Sequence, residues 1–238
     1  MKRRFSRQAS ASRKAQGAVA AIVAAAGSGK RLGLKTRKPF VKLAGKELII
    51  HTLEALSVSK AVKTIIVAAE PSCVSRFKRL IKRHGLKKVS AVVAGGKTRA
   101  ESVRNCLAEI KDPVDIVLIH DGGRPFIDAK TIEDSVALAR RHGGCIVAVP
   151  ESDTVKLAGK DLFIKRTLDR KRIFRAQTPQ VFRRSLITRA YAAKKVKGAT
   201  DDSSLAELAG GRVKILKGSY RNIKITTKED LKLAEVLL

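Results

Sequence analysis

The sequence predicts an α/β fold in which helices cover both faces of a mainly parallel sheet. From residue 18 onward, short apolar or β-branched runs alternate with stretches of helical periodicity. Runs that are apolar on both faces and separated by helices are typical of buried parallel strands. The predicted strands are 18–25, 64–69, 89–94, 115–120 and 145–150. The predicted helices between them are 48–58, 74–84, 98–110 and 131–142.

The alternation breaks after Pro150. Residues 151–175 are polar and charged, with short extended stretches at 154–157 and 162–164. This pattern predicts a β-hairpin arm that protrudes from the sheet. Beyond the arm we expect helices at 184–195 and 203–208 and a strand at 213–216. A last helix is expected to begin at Thr227, a suitable N-cap residue with Asp230 three positions further on.

At 238 residues the chain can bury one substantial core, and we expect a single domain over residues 17–238. Residues 1–16 contain six Lys or Arg and no acidic residue, and they lack apolar periodicity. This composition predicts a disordered basic tail. A plastid-type targeting peptide is the alternative, since organelle presequences are Arg-rich and acid-poor, but the tail is short and weakly amphipathic.

Cysteine usage and hydropathy bear on the compartment. The three cysteines, Cys73, Cys106 and Cys145, are far apart in the chain. An odd number of cysteines without a secretory signal favours reduced thiols in a cytoplasmic protein. No apolar run approaches the roughly 18 residues of a membrane-spanning helix, so we expect a soluble protein with no membrane partner.

The formal net charge of +30 makes nucleic acid a candidate partner. The cations are nevertheless spread along the whole chain, aromatic residues make up only 4%, and there is no Trp. Base-stacking surfaces need aromatic side chains, so the composition argues against a dedicated nucleic-acid function. A phosphate-rich substrate explains the charge equally well.

The first predicted strand runs into a loop of small residues at 24–29 that contains Gly27 and Gly29. Such a loop lets backbone N–H groups approach an anion closely. It is not a Walker loop, because Ala24 and Arg31 stand where that motif requires Gly and Ser or Thr. Arg31 and Lys38 follow closely and could neutralise a bound triphosphate.

Asp121 follows the strand predicted at 115–120. An acid at the carboxyl end of a central parallel strand lies where such sheets bind ligands. A carboxylate at this position suits Mg²⁺, which one or two acids and the substrate phosphates usually hold. An Asp that caps a turn before Gly122 and Gly123 is the alternative.

Eight segments together resemble the 2-C-methyl-D-erythritol 4-phosphate cytidylyltransferase family, and they occur in the family's order over nearly the whole chain outside the tail. They are AAAGSGKRLG, AGGKTRAESV, HDGGRP, ESDTVK, TLDR, QTPQVF, ATDDSSL and NIKIT. The resemblance implies a three-layer Rossmann-like nucleotidyltransferase sandwich. It also implies transfer of CMP from CTP to methylerythritol phosphate, with release of pyrophosphate, in non-mevalonate isoprenoid biosynthesis. A divalent cation, Mg²⁺, is the implied cofactor.

The resemblance also implies roles for individual residues. Catalytic cations are Arg31, Lys38 and Lys224. Nucleotide-binding positions are Ala25, Ala26, Gly27, Gly29, Gly95, Gly96, Arg99, Ser102, Asp121 and Gly122, with Asp121 also near the metal. Positions that hold the acceptor or brace its pocket are Thr154, Arg170, Thr178 and Thr200. The arm at 151–175 would cross to a second subunit, so that a homodimer forms each pocket.

Two segments depart from the family pattern. The usual Pro before the catalytic lysine is replaced by Arg37, and Pro39 follows Lys38 instead. Because proline restricts its own φ and the residue before it, Lys38 is expected to approach the phosphates differently. The usual HDAARP reads HDGGRP here, which adds backbone freedom at Gly122 and Gly123 without removing a ligand.

Two alternative functions remain open at this stage. A ribitol 5-phosphate cytidylyltransferase shares the scaffold and loops, although the TDDSSL and NIKIT segments favour methylerythritol phosphate. A basic nucleic-acid-binding protein on the same fold would require affinity that survives physiological salt.

Overall fold

The computed structural model of the protein describes residues 17–27, 29–34, 36–193 and 199–238. The predicted basic tail at 1–16 lies outside this part of the chain. The strands are β1 Ala18–Ala25, β2 Lys42–Leu43, β3 Lys46–Glu47, β4 Val62–Ala69, β5 Val89–Ala94, β6 Val114–Asp121, β7 Gly144–Pro150, β8 Lys156–Ala158, β9 Ile164–Thr167, β10 Phe174–Arg183 and β11 Val213–Lys217. The α-helices are α1 Leu48–Val58, α2 Val74–Arg83, α3 Arg99–Ala108, α4 Ala129–His142, α5 Arg184–Ala192, α6 Asp202–Leu208 and α7 Lys228–Leu237.

Seven strands form the main sheet in the order β11-β7-β10-β6-β1-β4-β5. β6 is the middle strand, and β1 lies next to it and pairs in parallel with β4 and β6. β5 and β11 also pair in parallel with their neighbours, whereas β10 runs antiparallel between β6 and β7. The mainly parallel α/β sheet predicted from the sequence is therefore confirmed.

Two hydrophobic clusters cover the two faces of the sheet, and alternate residues of β1 separate them. Val19, Ala21 and Val23 pack with α1, α2 and α4 on one face. Ala20 and Ile22 pack with α3, α5 and α6 on the other. These residues are fully buried on both sides of the strand. Such double burial explains why β1 reads as a continuous apolar run rather than an alternating one.

A third, smaller cluster lies beside the sheet. It joins the β2–β3 hairpin to α7 through Leu43 and Ala234, and it includes Leu32 and Ile225. Thr227 caps α7 and accepts a hydrogen bond from the Asp230 backbone N–H in a capping box, as predicted. This cluster anchors the segments that carry Arg31 and Lys224.

The predicted arm contains an antiparallel pair, β8 and β9, which forms a sheet of its own. Leu162, Phe163 and Ile164 near its tip are 84%, 76% and 64% exposed. The protruding hairpin of the sequence prediction is thus present. No helix within the described residues has the length and apolarity needed to cross a membrane.

One strand of the sheet was not predicted. β10 contains the polar run Gln177 to Gln180, which interrupts the apolar pattern that marks the other strands. Its pairing register with β7 also shifts between Ala176 and Gln180. The predicted helix at 184–195 ends at Ala192 in the structure, and part of the predicted range, 194–195, lies outside the described residues.

Candidate active site

A cleft of about 630 Å³ opens where the carboxyl ends of the central parallel strands meet. β1 leads into the glycine-rich loop, β6 ends at Asp121, and α3 begins with Arg99 at the cleft wall. The cleft brings together twelve of the site residues predicted from the sequence. They are Ala25, Ala26, Gly27, Gly29, Arg31, Lys38, Gly96, Arg99, Ser102, Asp121, Gly122 and Lys224.

The glycine-rich loop is shaped by the close approach of Lys38. Gly29 has a φ of +65°, which a side-chain-bearing residue adopts only with strain. A Cβ on Gly29 would lie 2.6 Å from Cβ of Lys38, so a larger residue would also push the lysine away. The backbone N–H of Leu32 donates to the Gly29 carbonyl at 3.0 Å and closes the turn. The loop therefore leads directly into the segment that presents the cations.

Lys38 reaches the cleft even though Pro39 follows it. Pro39 and Phe40 are buried in a short 3-10 helix, where Phe40 packs on Phe77 with ring centroids 5.1 Å apart. This packing fixes the backbone and leaves the ammonium of Lys38 against Gly123. Burial and the nearby charge of Lys224 together lower the pKa of Lys38 to about 8, and the opposing effect of Asp121 is smaller. The shifted proline has thus not removed the lysine from the cleft.

Asp121 is surrounded by cations. Oδ2 lies 2.9 Å from Nζ of Lys224 and 3.4 Å from Nε of Arg124, and Oδ1 lies 3.8 Å from Nε of Arg99. Burial alone raises the pKa of Asp121, but Lys224 and Arg99 outweigh it and hold the pKa well below its usual range. The carboxylate therefore stays ionised at any pH near neutrality.

The donor set at Asp121 fits a magnesium ion that a bound nucleotide brings with it. No group of three or more His, Cys, Asp or Glu side chains within the described parts of the chain could hold a metal. Mg²⁺ does not need such a group, because one carboxylate and the substrate phosphates can hold it. Asp121 stays ionised, and Lys224 makes its closest approach at Oδ2, so the residues present are compatible with that requirement.

A buried hydrogen-bond chain holds Asp121 from behind. Its backbone N–H donates to Oγ1 of Thr178 at 3.0 Å, and that hydroxyl contacts Nδ1 of His120 at 3.1 Å. Nε2 of His120 lies 3.0 Å from the carbonyl oxygen of Arg124, which can only accept, so Nε2 carries the proton. Burial lowers the pKa of His120 to about 4, and Nδ1 of the neutral ring accepts from Thr178. His120 is thus a structural group and not a general base.

The second predicted loop forms the opposite wall of the cleft. The Gly95 N–H donates to the Ala69 carbonyl at 2.7 Å, and the Gly96 N–H donates to Oγ of Ser102 at 3.1 Å. The same hydroxyl donates to the Thr98 carbonyl at 2.9 Å. A Cβ on Gly95 would overlap with that of Ala26, so this glycine lets the two loops touch. Gly95 does not line the cleft but supports it.

The four predicted acceptor residues do not line the cleft of a single chain. Thr154 and Thr200 are exposed, and Arg170 is exposed at the base of the arm, where Nη1 donates to the Ser152 carbonyl at 2.9 Å. Thr178 is buried and uses its hydroxyl on His120 and Asp121. Thr178 therefore braces the site from within.

Sequence reasoning missed several residues that line the cleft. They are Ala24, Pro39, Glu70, Lys97, Thr98, Gly123 and Thr226. Most adjoin a residue that was predicted, so the segment was found although the individual residue was not. Glu70 is different, because it follows β4 and pairs with Arg37 at 2.8 Å, and no motif marks it.

Comparisons with known proteins show the family of this chain. A curated 2-C-methyl-D-erythritol 4-phosphate cytidylyltransferase of Pelotomaculum thermopropionicum is 45% identical over 223 residues, which cover 92% of this chain and 94% of the relative. The same enzyme of Geobacillus kaustophilus is 44% identical over 220 residues, covering 92% and 96%.

Solved structures of enzymes with this name, or with its synonym 4-diphosphocytidyl-2C-methyl-D-erythritol synthase, share the fold. A 4-diphosphocytidyl-2C-methyl-D-erythritol synthase of Anaerococcus prevotii superposes with a TM-score of 0.82 at 30% identity, covering 93% of this chain and 96% of the other. A 2-C-methyl-D-erythritol 4-phosphate cytidylyltransferase of Thermus thermophilus gives a TM-score of 0.74 at 29% identity, covering 92% and 98%. The family profile for 2-C-methyl-D-erythritol 4-phosphate cytidylyltransferase matches residues 19–238. The chain belongs to that family.

Proposed function

We propose that the protein transfers CMP from CTP to 2-C-methyl-D-erythritol 4-phosphate, giving 4-diphosphocytidyl-2-C-methyl-D-erythritol and pyrophosphate. One observation carries the proposal. Arg31, Lys38 and Lys224 converge on one cleft with the glycine-rich loop, around a carboxylate at the end of a central strand. This arrangement suits the reaction of two polyanions.

The chemical difficulty is charge repulsion between the acceptor phosphate and the triphosphate of CTP. Lys38, Lys224 and Arg31 would neutralise this charge, and the N–H groups of the glycine-rich loop would hold the phosphates in line for attack at the α-phosphorus. A phosphate monoester has a second pKa of about 6 and is largely ionised at neutral pH, so the attack needs no general base. The bond from the acceptor oxygen to the α-phosphorus forms as pyrophosphate leaves.

Asp121 is the residue we assign to the metal. A bound Mg²⁺ would neutralise phosphate charge and orient the triphosphate. The chain's own contribution is to keep Asp121 ionised and in place, through Lys224, Arg124 and the buried Thr178 hydroxyl. Lys224 also lies 2.9 Å from this carboxylate, so its ammonium is fixed between the acid and the cleft.

Cytosine would be chosen by the loop at 94–98. Hydrogen bonds of the Gly95 and Gly96 N–H groups fix its backbone. The Ser102 hydroxyl accepts from Gly96 and donates to the Thr98 carbonyl, and so joins both ends of the loop. Fixed backbone groups reject a wrong base because its edge leaves them unpaired. We expect UTP and ATP to be poor substrates for this reason.

The acceptor pocket would be completed by a second subunit, in a homodimer built through the arm at 151–175. Two observations support this. Thr154, Arg170 and Thr200 lie outside the cleft of their own chain, and the arm tip exposes Leu162 and Phe163. Exposed apolar side chains grouped on a protruding hairpin are typical of a contact surface.

We place the enzyme in the cytoplasm. The relatives named above are bacterial, and the three cysteines are free and buried. Burial raises the pKa of Cys106 and of Cys145 to about 12, so these thiols are inert packing groups, as a reducing compartment allows.

The test is a pyrophosphate-release assay with purified protein, Mg²⁺ and CTP. Methylerythritol phosphate and ribitol 5-phosphate are compared as acceptors under identical conditions, and UTP and ATP replace CTP in parallel reactions. We expect release only with CTP and methylerythritol phosphate. Faster turnover of ribitol 5-phosphate would reassign the acceptor, and equal use of UTP or ATP would contradict the assignment of the base-binding loop.

A further inference from the structure

Two buried residues behind Arg99 have no role in the mechanism above. Asp202, at the start of α6, is fully buried. Its carboxylate accepts two hydrogen bonds from Arg99, Nη1 to Oδ1 at 2.8 Å and Nη2 to Oδ2 at 2.6 Å. The Tyr191 hydroxyl, from α5, also donates to Oδ1. A bidentate pair of this kind fixes the plane of the guanidinium.

The remaining edge of the Arg99 guanidinium faces the cleft. Its Nε lies 3.8 Å from Oδ1 of Asp121, which is longer than a hydrogen bond but close enough to stabilise the carboxylate charge. Lys224 and Arg124 both approach Oδ2 instead. Of these three cations, Arg99 is therefore the one whose closest approach is to Oδ1, and at 3.8 Å it does not hydrogen-bond to that oxygen.

We propose that Asp202 is a positioning residue that holds Arg99 back from Asp121, so that Oδ1 stays available to the nucleotide and its metal ion. Without Asp202, the nearest carboxylate for Arg99 is Asp121 itself. Arg99 would then form its charged hydrogen bonds in the cleft and occupy the oxygen that the ligand needs. Tyr191 supports Asp202 by fixing the orientation of its carboxylate.

If Asp202 had only a structural role, its removal would affect different properties of the protein. A buried ion pair that only contributes to packing would change the stability of the fold when removed, but not the affinity of the folded protein for nucleotide. The positioning role acts through Arg99 alone. Its effect must therefore disappear when Arg99 is absent, as in any coupled pair.

The experiment uses the full chain and the variant Asp202→Asn, which keeps the size of the side chain. Calorimetric titration with CTP and Mg²⁺ is expected to give a Kd raised by about tenfold, in the range typical of residues that orient a ligand-binding group. The matched control is Asp201→Asn, because Asn also caps helices and Asp201 contacts Gln180, Ser203 and Ser204 but not Arg99. We expect the Kd of the control to stay within about twofold of the unsubstituted protein.

The second arm is a double-mutant cycle with Arg99→Ala and Arg99→Ala/Asp202→Asn. We expect Asp202→Asn to cause no further loss of CTP affinity once Arg99 is absent. The inference would be overturned if Asp202→Asn weakened CTP binding equally with Arg99 present and with Arg99→Ala. An unchanged Kd in the single variant Asp202→Asn would also overturn it. Thermal unfolding of each variant shows that the protein measured is folded.

If Asp202→Asn does not fold, Tyr191→Phe carries the test, since it leaves both charges in place. A Kd raised by about threefold supports the proposal, and an unchanged Kd overturns it. The inference rests on the proposed function, because Asp121 must bind the nucleotide. Failure of the proposed function would appear in the unsubstituted protein as absent pyrophosphate release, whereas failure of this inference would appear only in the variants.

Discussion

At the scale of single residues, Lys38 is the proposed catalytic group whose charge is expected to change at mildly alkaline pH. Burial and Lys224 lower its pKa to about 8 in the free protein. Because only the protonated ammonium neutralises phosphate, kcat/KM for CTP is expected to fall as pH rises through about 8. Bound phosphates raise the pKa of Lys38, so kcat should hold to higher pH. Profiles of kcat/KM and of kcat between neutral and alkaline pH test these two expectations.

Lys38→Arg provides the control for this assignment. A guanidinium stays charged throughout the range, so the alkaline fall in kcat/KM should move to higher pH even if the absolute rate drops. A fall at the same pH in Lys38→Arg would assign the titration to another group.

Gly123 leaves the space in which the Lys38 side chain lies. A Cβ at residue 123 would overlap with Nζ and Cε of Lys38 and lie 3.4 Å from the Ile225 carbonyl oxygen. Gly123→Ala is therefore expected to displace the ammonium and lower kcat by about tenfold or more, with little change in melting temperature. The same change in a Lys38→Ala background should add nothing. An additive loss would show that Gly123 acts by another route.

The sequence could predict residues that stand in contiguous motifs, but not partners joined only by folding. Lys38, Asp121 and Lys224 each belong to a motif, and the structure brings them to one cleft. Asp202 meets Arg99 from 103 residues away, and no spacing rule connects the two. Thr178 was expected at the acceptor, yet its burial and its two hydrogen bonds became visible only in three dimensions.

At the scale of elements, the apolar strands of the sheet were predictable and the polar strand β10 was not. β1 and β5 match their predicted ranges, and β4, β6 and β7 differ by at most two residues at an end. β10 was missed because Gln177, Thr178 and Gln180 are buried polar residues. Their side chains bond to groups on other elements, such as Asp201 and Ser219. Polarity in β10 thus reflects internal hydrogen bonding and not exposure.

The arm is the element whose proposed role is easiest to test. Leu162→Ser/Phe163→Ser removes apolar surface that is 84% and 76% exposed in one chain. We expect the variant to sediment as a monomer and to lose activity, because each pocket would lack the partner's arm. Val58→Ser, at a position 72% exposed on α1, is the matched control and should stay dimeric and active. Full activity in a monomeric variant would contradict the shared pocket.

At the scale of the whole molecule, the active site explains only a small part of the formal net charge of +30. The cations that line the cleft account for only part of it; they are Arg31, Lys38, Lys97, Arg99 and Lys224. Much of the rest lies on surfaces such as α2, where Lys78, Lys82 and Arg83 are among the basic residues. A field of this sign attracts CTP and methylerythritol phosphate, but it attracts any polyanion equally.

This field predicts weak, salt-sensitive RNA binding that does not compete with catalysis. Counterion release makes nonspecific affinity fall by roughly 10³ or more between 50 and 200 mM salt when several phosphates are contacted. We expect gel-shift and fluorescence titrations to show that steep fall, and pyrophosphate release at physiological salt to be unaffected by added RNA. The aromatic content of 4% leaves little surface for stacking, the interaction that would resist salt. Affinity that survived physiological salt, or inhibition of turnover there, would instead require a dedicated nucleic-acid site on this fold.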